Sequence, residues 1–537
     1  MQDVISMRDF SKKEILHILE VAGDVKRAIH NPSDTSFSKK YGRELSKLLE
    51  GISVAALFLE NSTRTNYSFR TAAVKAGGSV DGFPTQDHTS LKKGETWADT
   101  ASMFAGYGYN VLVVRSTEEG LPRWTKEILT KNNQQLALQH REFRVPFSCQ
   151  IPSVINGGDG KNQHPSQCLL DLFTMQEIAR SKGKELDGLN LALLNDIKHG
   201  RTISSLMSVA NLFDFNLHFA YPNRFGPTPE AVEELRNKGV NVKDYGPNFA
   251  EALSHSFIAY HSRPQKERVG KGEDFETIKR IGQINRFIYD SLGENAPFLM
   301  HPLPIDAETF AEISGDMRDH PKNVTKYQSS NGLYVRIALL GMCTGRIPST
   351  IENKEPKSIG TSLKEITLHN QRKELDNPVS GYIRDDGIVI DHIPAGMGRR
   401  LAGVLGLEAE RVPKVISDYL PSHKHGKLKD LVKIHGNYEL TPEQHDAIAL
   451  IAPNATINVI RNSSITKKYQ LRLGESIDKR VRCVNEGCIT NVKKEEISPK
   501  HYIEENGDKI NLRCQYCEVS DTVEKAYDNN RFVYIGE

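Results

Sequence analysis

The sequence has no apolar run long enough to cross a bilayer, no excess of charge of either sign and few cysteines. A transmembrane helix needs roughly 18 consecutive apolar residues, and no stretch of the chain approaches that length. The amino terminus also lacks the basic and then apolar pattern of a signal peptide. Lysine plus arginine, 70, nearly equals aspartate plus glutamate, 68, so a dedicated nucleic-acid binder is not expected. We therefore expect a cytoplasmic protein that binds neither membranes nor nucleic acid and whose anion sites are local.

The cysteines are also unsuited to a disulfide framework, because there are only 7 in 537 residues and the number is odd. Three are scattered through the first two thirds of the chain, as is typical of small buried side chains. The other four form two close pairs, Cys483-x4-Cys488 and Cys514-x2-Cys517, separated by 25 residues. Four thiolates fill the tetrahedral coordination of Zn²⁺ and leave no open position. The spacing predicts one structural zinc ion per chain; a redox pair or unrelated thiols are the alternatives.

The length predicts about three to four domains. Between Gly51 and Gly345, short apolar runs alternate with helix-like segments, which predicts parallel α/β structure. A polar linker is predicted at 351–378, and the strands and amphipathic helices that follow indicate an α+β unit. The predicted fold class is a multidomain α/β protein with two parallel-sheet domains, an α+β domain and a small β-rich zinc domain. The predicted domains are 1–160 with a helix at about 326–350 returning to it, 161–325, 379–476 and 477–537.

A candidate anion site follows the apolar strand Ile52–Leu59. The residues Ser62, Thr63, Arg64 and Thr65 stand between this strand and a predicted helix. Backbone N–H groups and the dipole at a helix start favour negative charge, hydroxyls donate to phosphate oxygens, and an arginine adds a charge-assisted fork. The alternative is an ordinary helix cap, because Ser and Thr are favoured there.

Two more arginines, Arg201 and Arg263, stand just past the predicted strands Leu191–Leu194 and Phe257–Tyr260. Open α/β sheets bind ligands at the carboxyl ends of their strands, and guanidinium forks suit carboxylates. For an isolated arginine, a surface ion pair would be the alternative.

Four motifs occur in the order in which aspartate and ornithine carbamoyltransferases carry similar ones: Ser62-Thr63-Arg64-Thr65, the loop from Ser90 to Thr96, His164-Pro165-Ser166-Gln167, and His301-Pro302-Leu303-Pro304. The resemblance implies that carbamoyl phosphate is bound by Ser62, Thr63, Arg64, Thr65, Arg115, His164, Gln167 and, from a neighbouring subunit, Ser90. It implies that aspartate is bound by Arg201, Arg263, Gln265, Leu303, Pro304 and, from a neighbouring subunit, Lys93. The implied catalytic set is Arg64, Thr65, Arg115, His164, Gln167 and Lys93.

The activity that this resemblance implies is transfer of the carbamoyl group of carbamoyl phosphate to the α-amine of L-aspartate, in de novo pyrimidine biosynthesis, without an organic cofactor. Domain 1–160 would bind carbamoyl phosphate and domain 161–325 aspartate. An ornithine-type enzyme is the alternative, but those enzymes carry a cysteine between His and Leu in the late motif and lack the Lys93-Gly94-Glu95 sequence. A catalytically silent nucleotide-sensing scaffold and a zinc-dependent nucleic-acid binder are the alternatives of other classes.

Two further segments, Gly387–Ala395 and Ala452–Asn458, resemble the regulatory chain of enteric-type aspartate carbamoyltransferases. This resemblance implies a site for a nucleotide effector (CTP, ATP or UTP) at Asp391, His392, Lys429, Lys433, Asn458, Ile465 and Lys468. It also implies that 379–476 is the allosteric domain and that the zinc domain docks the regulatory unit on the catalytic one. Because Ser90 and Lys93 would act in a neighbour's site, we expect a trimer, or a hexamer if regulatory domains pair.

The sequence departs from the family pattern in several places. Asn66 and Arg70 stand where arginine and glutamate are usual, Ile305 replaces an arginine, and Ser463 replaces an aromatic residue. The segment Leu121–Gln150 is longer than the family pattern requires. We expect an inserted surface helix there.

Overall fold

The structure is a computed structural model that describes residues 3–143, 151–222, 225–264, 275–306, 308, 311–349, 358–367, 385–407, 411–421, 428–506 and 509–533. The chain divides into two compact units, Met1–Lys354 and Glu355–Glu537, which are called the catalytic and the regulatory unit after the roles that the sequence resemblance implies. In the described parts of both units, every helix is too short or too polar to cross a membrane.

The first sheet of the catalytic unit is parallel, with strand order β2-β1-β3-β4. Its strands are β1 (Ser53–Phe58), β2 (Ser79–Phe83), β3 (Val111–Ser116) and β4 (Ser153–Asp159). The helices of this half are α1 (Lys12–His30), α2 (Ser36–Tyr41), α3 (Thr63–Lys75), α4 (Trp97–Gly106), α5 (Leu121–Phe143) and α6 (Pro165–Ser181). Strands β3 and β4 are buried along their whole length, as expected for a parallel sheet covered on both faces.

The second sheet is also parallel, with strand order β7-β6-β5-β8-β9. It contains β5 (Asn190–Asn195), β6 (Asn216–Ala220), β7 (Asn241–Asp244), β8 (Ile258–Ser262) and β9 (Phe298–Met300). Its helices are α7 (Arg201–Val209), α8 (Pro229–Asn237), α9 (Phe249–Ser254), α10 (Phe275–Gly282) and α11 (Arg286–Leu292), and α12 (Thr325–Cys343) follows.

Helix α12 lies in the apolar core of the catalytic unit. It packs against α1, α3 and α6, and its segment from Val335 to Leu340 is almost entirely inaccessible to solvent. Helix α1 packs against α12 through the apolar side of its amphipathic pattern. It begins with a capping box in which Ser11 and Glu14 satisfy each other's backbone N–H groups. This packing places the amino ends of α3 and α6 beside the carboxyl ends of the first sheet.

The predicted insertion Leu121–Gln150 is helical from Leu121 to Phe143. Its first turns are buried around Trp124 and Ile128, and Trp97 donates a 2.8 Å hydrogen bond to Thr125. Only the later part of α5 is a surface helix, where Leu138 and Phe143 are exposed. Residues 144–150 lie outside the described residues.

The regulatory unit opens with an antiparallel sheet of order β10-β15-β14-β11-β13-β12. The strands are β10 (Ser362–Glu365), β11 (Gly387–Pro394), β12 (Lys414–Pro421), β13 (Leu428–His435), β14 (Thr456–Arg461) and β15 (Ser464–Arg472). Helices α13 (Gly398–Val404) and α14 (Pro442–Ile451) contribute to a core with Ile388, Ile390, Val432 and Ile434.

Strand β10 lies inside the predicted linker 351–378, so part of that segment is built into the regulatory sheet. Its four residues are exposed, and its backbone pairs with β15 from Ser362 opposite Arg472 to Glu365 opposite Tyr469. The composition is polar because an edge strand needs backbone pairing and not a buried face. Residues 350–357 and 368–384 lie outside the described part.

The last segment forms a small antiparallel sheet of order β16-β17-β18-β19. It contains β16 (Ser476–Asp478), β17 (Lys500–Asn506), β18 (Lys509–Cys514) and β19 (Ser520–Thr522), followed by α15 (Val523–Asp528). The predicted fold class is therefore confirmed: two parallel α/β sheets, then an α+β domain and a β-rich cysteine-bearing domain.

Candidate active site, effector face and metal centre

The predicted anion site lies where β1 passes into α3. Ser62 is the extended N-cap residue, and its hydroxyl makes no capping hydrogen bond, so it is available to a ligand. Thr65 is buried in the first turn of α3, where backbone N–H groups have no intrahelical partner. Burial lowers the pKa of Arg64, next to it. A cation that is partly desolvated in this way is stabilised by an arriving anion.

Two predicted ligands from different sheets meet at one carboxylate. Arg115, at the end of β3, lies 3.1 Å from Glu60, and Arg201, at the start of α7, lies 3.0 Å from the same Oε2 atom. Burial, and after it the positive charge of Arg201, lowers the pKa of Arg115 to about 9. One carboxylate shared by two arginines leaves an excess of positive charge, which suits anionic substrates.

A glycine loop lets the two arginines approach each other. Arg115 donates to the carbonyl of Gly157 at 2.9 Å, and Arg201 donates to that of Gly160 at 3.0 Å. Gly158 has a φ of +113°, and a Cβ added there would lie 2.8 Å from Nη1 of Arg115. Asp159 fixes the loop by accepting hydrogen bonds from Gly120 N, Gln163 N and two asparagine amides.

His164 caps α6 beside this cluster, with Pro165 at the first helical position. Its Nε2 atom is 3.4 Å from Thr65 Oγ1. Burial, and then Arg115 and Arg201, hold the pKa of His164 well below its usual range, so the imidazole is neutral at pH 7. A neutral ring can donate one hydrogen bond to a carbonyl oxygen without adding to the local positive charge. Gln167, one turn further along α6, is also buried.

The carboxyl ends of β8 and β9 carry the predicted aspartate ligands. Arg263 is half-buried just past β8. After β9, the ring of His301 accepts a 2.8 Å hydrogen bond from Leu303 N, and its other nitrogen lies 3.1 Å from Glu312. The Leu303-Pro304 peptide is cis, and Pro304 is exposed. Gln265 lies outside the described residues.

Ser90 and Lys93, which were assigned to a neighbour's active site, are the first and last residues of a short exposed turn. The ion pair within this segment joins Lys92 and Asp87 at 3.1 Å. In this single chain the turn is therefore presented to solvent.

The departures from the family pattern are accommodated locally. Arg70 donates to Asn66 Oδ1 at 2.8 Å and to the carbonyl of Gly82 at 3.1 Å. This pair takes the place of the arginine and glutamate that are usual there. Ile305 packs against the apolar core of the second sheet, where an apolar side chain fits better than a charged one.

The candidate effector residues gather on the face of the regulatory sheet opposite its helices. Antiparallel pairing puts Lys433 opposite Val389, Val389 opposite Asn458, and Asn458 opposite Lys468, so these side chains form one row. Alternation along the strands puts Asp391 and Lys429 on the same face. Lys429 and Asp391 form a 2.6 Å ion pair, and burial lowers the pKa of Lys433.

Two effector candidates lie at the margin of this row. His392 has a φ of 65° at the irregularity in β11, and its ring lies 3.4 Å from Asp391. Ile465 is opposite Ile460 and is exposed, and Ser463 stands in the β14–β15 turn.

The four cysteines Cys483, Cys488, Cys514 and Cys517 are buried, and their sulfurs lie within 4.8 Å of one another. Two of the sulfur pairs are 3.5 and 3.8 Å apart. A tetrahedral zinc ion with bonds of about 2.3 Å needs sulfurs about 3.8 Å apart, so the donor set fits the ion. Thr490 donates to the sulfur of Cys488 at 3.2 Å, which supports a thiolate there.

Sequence reasoning missed several residues that shape the site. Glu60 stands two residues past the end of β1, and a carboxylate beside a phosphate-binding motif was a usable signal. Arg336, within apolar α12, gave no such signal; it donates to Ser68 at 2.8 Å and stacks on Phe69. Burial lowers its pKa to about 10.

Together these features define a two-domain α/β enzyme for small anionic substrates, extended by a second unit that carries a four-cysteine metal centre. Residues 2–177 match the aspartate/ornithine carbamoyltransferase carbamoyl-P binding domain, and residues 187–343 match the Asp/Orn binding domain. Residues 383–472 and 475–526 match the allosteric and metal binding domains of the aspartate carbamoyltransferase regulatory chain. The chain belongs to the aspartate carbamoyltransferase family and is a fusion of the catalytic and regulatory chains.

Individual relatives agree with this assignment. Protein PyrBI of Thermotoga maritima is 28% identical over 97% of both chains. The aspartate carbamoyltransferase catalytic subunit of Thermococcus gammatolerans is 35% identical over 64% of this chain and 98% of its own. The solved catalytic subunit of M. jannaschii aspartate transcarbamoylase superposes with a TM-score of 0.53, at 31% identity, over 64% of this chain and 98% of that one.

Proposed function

We propose that this protein transfers the carbamoyl group of carbamoyl phosphate to the α-amine of L-aspartate, giving N-carbamoyl-L-aspartate and phosphate for pyrimidine synthesis. The observation that carries the proposal is the meeting of Arg115 and Arg201, from two sheets, at one carboxylate beside a neutral buried histidine. Both substrates are anions that repel each other in water. A site with excess positive charge offsets that repulsion and holds the reacting atoms together.

The phosphate is assigned to the start of α3. Ser62, Thr63, Arg64 and Thr65 offer hydroxyls, a guanidinium and unpaired backbone N–H groups, and Arg115 adds a second fork. As phosphate leaves, negative charge grows on its oxygens. These donors stabilise that charge without having to rearrange.

The carbamoyl carbonyl is assigned to His164, Thr65 and Arg115. Attack by the neutral amine of aspartate on the carbonyl carbon places a negative charge on the carbonyl oxygen. Neutral His164 and the cation Arg115 can both donate to it, while Gln167 receives the carbamoyl amino group. The carbon–nitrogen bond forms, the carbon–oxygen bond to phosphate breaks, and the proton that the amine loses passes to the departing phosphate.

Aspartate is assigned to the second sheet. Arg201, Arg263 and Gln265 are proposed to hold its carboxylates, with backbone carbonyls at Leu303 and Pro304 near the amine. Ser90 and Lys93 are proposed to enter from a neighbouring subunit, which requires a trimer; their exposure in the single chain supports this. We place the protein in the cytoplasm.

The allosteric domain is proposed to bind CTP, ATP or UTP on the open sheet face. Lys429, Lys433 and Lys468 would hold the phosphates, with Asp391, His392, Asn458 and Ile465 around the nucleoside. Zinc would be held by the four cysteines as a structural ion that stabilises a segment too small for a large core of its own. Pairing of these domains would give a hexamer.

The test is formation of carbamoyl aspartate by the zinc-loaded full chain at varied aspartate, with and without CTP and ATP. Ornithine serves as the comparison substrate. Turnover with aspartate and not with ornithine, shifted by a nucleotide, supports both halves of the proposal. Absence of product from the assembled protein would contradict the enzymatic role and favour a nucleotide-sensing scaffold.

A further inference from the structure

A buried carboxylate that the proposed chemistry does not use lies one helical turn beyond Gln167. The side chain of Asp171 on α6 is fully inaccessible to solvent. It accepts hydrogen bonds from Gln167 Nε2 at 2.9 Å, Gln328 Nε2 at 2.6 Å and Tyr260 Oη at 2.8 Å. These donors come from α6, α12 and β8, so one carboxylate joins elements of both sheets.

The contact with Asp171 decides which way the Gln167 amide points. Oδ1 of Asp171 acts as an acceptor, so it selects the NH₂ end of the amide. The carbonyl end, Oε1, is then left for a donor on the substrate. The carbamoyl group presents such a donor in its own NH₂, from which Oε1 of Gln167 can accept.

The second arm reaches the other substrate. Gln328 donates to Asp171, and its Oε1 accepts a 2.8 Å hydrogen bond from His301 N. A backbone N–H can meet only the oxygen of the amide, so this orientation is fixed independently. His301 then accepts from Leu303 N at 2.8 Å. The chain of bonds therefore runs from Gln167 through Asp171 to the loop that carries Leu303.

We propose that Asp171 is a positioning residue. It holds the carbamoyl-binding amide of Gln167 and, through Gln328, the aspartate-side loop at fixed positions relative to each other. The inference rests on the proposed carbamoyl transfer. Asp171 does not touch the reacting atoms; it acts by selecting the orientation of the Gln167 amide and by anchoring the Gln328 amide, which His301 N already orients. Misplacement of about 1 Å at such distances costs roughly 10²-fold in rate.

The protonation of Asp171 does not disturb this arrangement. Burial, opposed by the three hydrogen bonds and by Arg336, raises the pKa of Asp171 to about 7. Oδ1 already receives two amide donors, so a proton is accommodated on Oδ2, which faces Tyr260. Asparagine reproduces that protonated form, with its oxygen toward the amides and its NH₂ toward Tyr260.

The test compares kcat and both KM values of Asp171→Leu, Asp171→Asn and the wild-type full chain. We expect Asp171→Leu to lower kcat about 10²-fold and Asp171→Asn to recover most of that loss. Misfolding alone would also lower kcat of the leucine variant. To separate this from a loss that depends on Gln167, Asp171→Leu is also made in a Gln167→Ala background. A positioning role predicts that its effect on kcat there shrinks to a small fraction, since the Gln167 amide is gone, while its effect through Gln328 on KM for aspartate remains.

The matched control is Thr174→Val, one turn further along the same helix. Thr174 is equally buried and accepts a 3.0 Å hydrogen bond from Asn331 on α12, as Asp171 accepts from Gln328. It should lower thermal stability and leave kcat within about twofold. Gln328→Met, which cuts the second arm alone, should raise KM for aspartate more than KM for carbamoyl phosphate.

Each outcome bears on one proposal. Additive losses of kcat for Asp171→Leu and Gln167→Ala, or an asparagine variant as slow as the leucine variant, would overturn the positioning role while leaving the carbamoyl transfer intact. An inactive wild-type protein would instead overturn the proposed function, and with it this inference.

Discussion

The catalytic and regulatory units differ in how far their candidate ligand charges are exposed to solvent. In the catalytic unit, Arg115 and Arg336 are buried, and burial lowers the pKa of each. In the regulatory unit one candidate ligand, Lys433, is also buried, but Lys429 and Lys468 lie half-exposed on a sheet face, and Lys429 is balanced by Asp391. A buried cation is held at a fixed place and gains from each anion that arrives, whereas a half-exposed lysine is mobile and screened by salt. The first arrangement suits chemistry, and the second suits reversible binding.

The two units also differ in what holds them together. The catalytic unit has an extensive apolar core around α12, whereas the metal-binding segment contributes few large buried side chains beside its four cysteines. Stability in that segment is therefore expected to depend on the ion.

The largest effect should follow removal of zinc. Cys514→Ser, or chelation of the wild-type protein, should unfold the segment after 475, because binding of structural zinc contributes about 10–16 kcal/mol in small domains. Carbamoyl aspartate formation should persist, since no cysteine ligand lies in the catalytic unit. Metal content, calorimetric unfolding and turnover measure this. Cys343 is a buried cysteine outside the cluster, so the control variant Cys343→Ala should keep one zinc per chain. Loss of turnover on chelation would break the comparison.

The next effect should follow loss of a buried cation. Arg115→Met should lower kcat about 10²- to 10³-fold, because one preorganised donor to the developing charge is lost. Arg123→Met is the control: Arg123 pairs with Asp9 at 3.0 Å and is not assigned to either substrate, so the rate should change less than twofold while stability falls by about 1 kcal/mol. Steady-state rates of both variants decide the matter, and equal rates would contradict the assigned site.

A smaller, salt-sensitive effect is expected on the open sheet face. Lys468→Ala should weaken ATP or CTP binding about tenfold, as expected for one lost charge-assisted hydrogen bond. Lys467, the next residue on β15, points to the opposite side, so Lys467→Ala should change affinity little. Calorimetric titration at two salt concentrations measures both. Equal losses in the two variants would mean that the row across the sheet is not the effector site.

The last effect concerns the dependence of stability on pH. The pKa of Asp171 is raised by burial from 3.8 to about 7. Between these two pH values the folded protein keeps a proton on Asp171 that the unfolded chain has lost. Its contribution to stability is full below pH 3.8 and disappears as pH rises through about 7. Asp171→Asn removes this dependence. Melting temperatures between pH 5 and 8 should therefore fall less with rising pH in the variant; parallel curves would show that Asp171 stays ionised.

Much of the site was predictable because its residues stand just past strand ends. Ser62 and Arg201 follow apolar strands, Arg115 lies at the end of one, and parallel strands bring such ends together. Asp171, Gln328 and Arg336 were not predictable, since each lies on a helix and gains its partners only through tertiary packing. The sheet face with Lys433 and Lys468 needed strand register, which local sequence does not fix.

The linker was predicted from composition, and composition misled in part. Polar residues between two folded units usually indicate a tether, yet Ser362–Glu365 completes a sheet by backbone pairing that needs no apolar side chain. Gln265 and residues 144–150 lie outside the described residues, so the predictions made for them stand as predictions.

Strand β10 has a practical consequence for anyone who wishes to divide this gene product into two polypeptides. Beyond the ladder with β15, Gly360 N donates to Ser476 O at 2.8 Å and Thr361 N donates to Asp446 at 2.7 Å. A cut placed after residue 366 would send these residues away with the wrong half and leave a bare strand edge prone to pairing with other chains. A cut ahead of Ser358 would keep the regulatory half complete, so the best place to divide the chain is upstream of that serine.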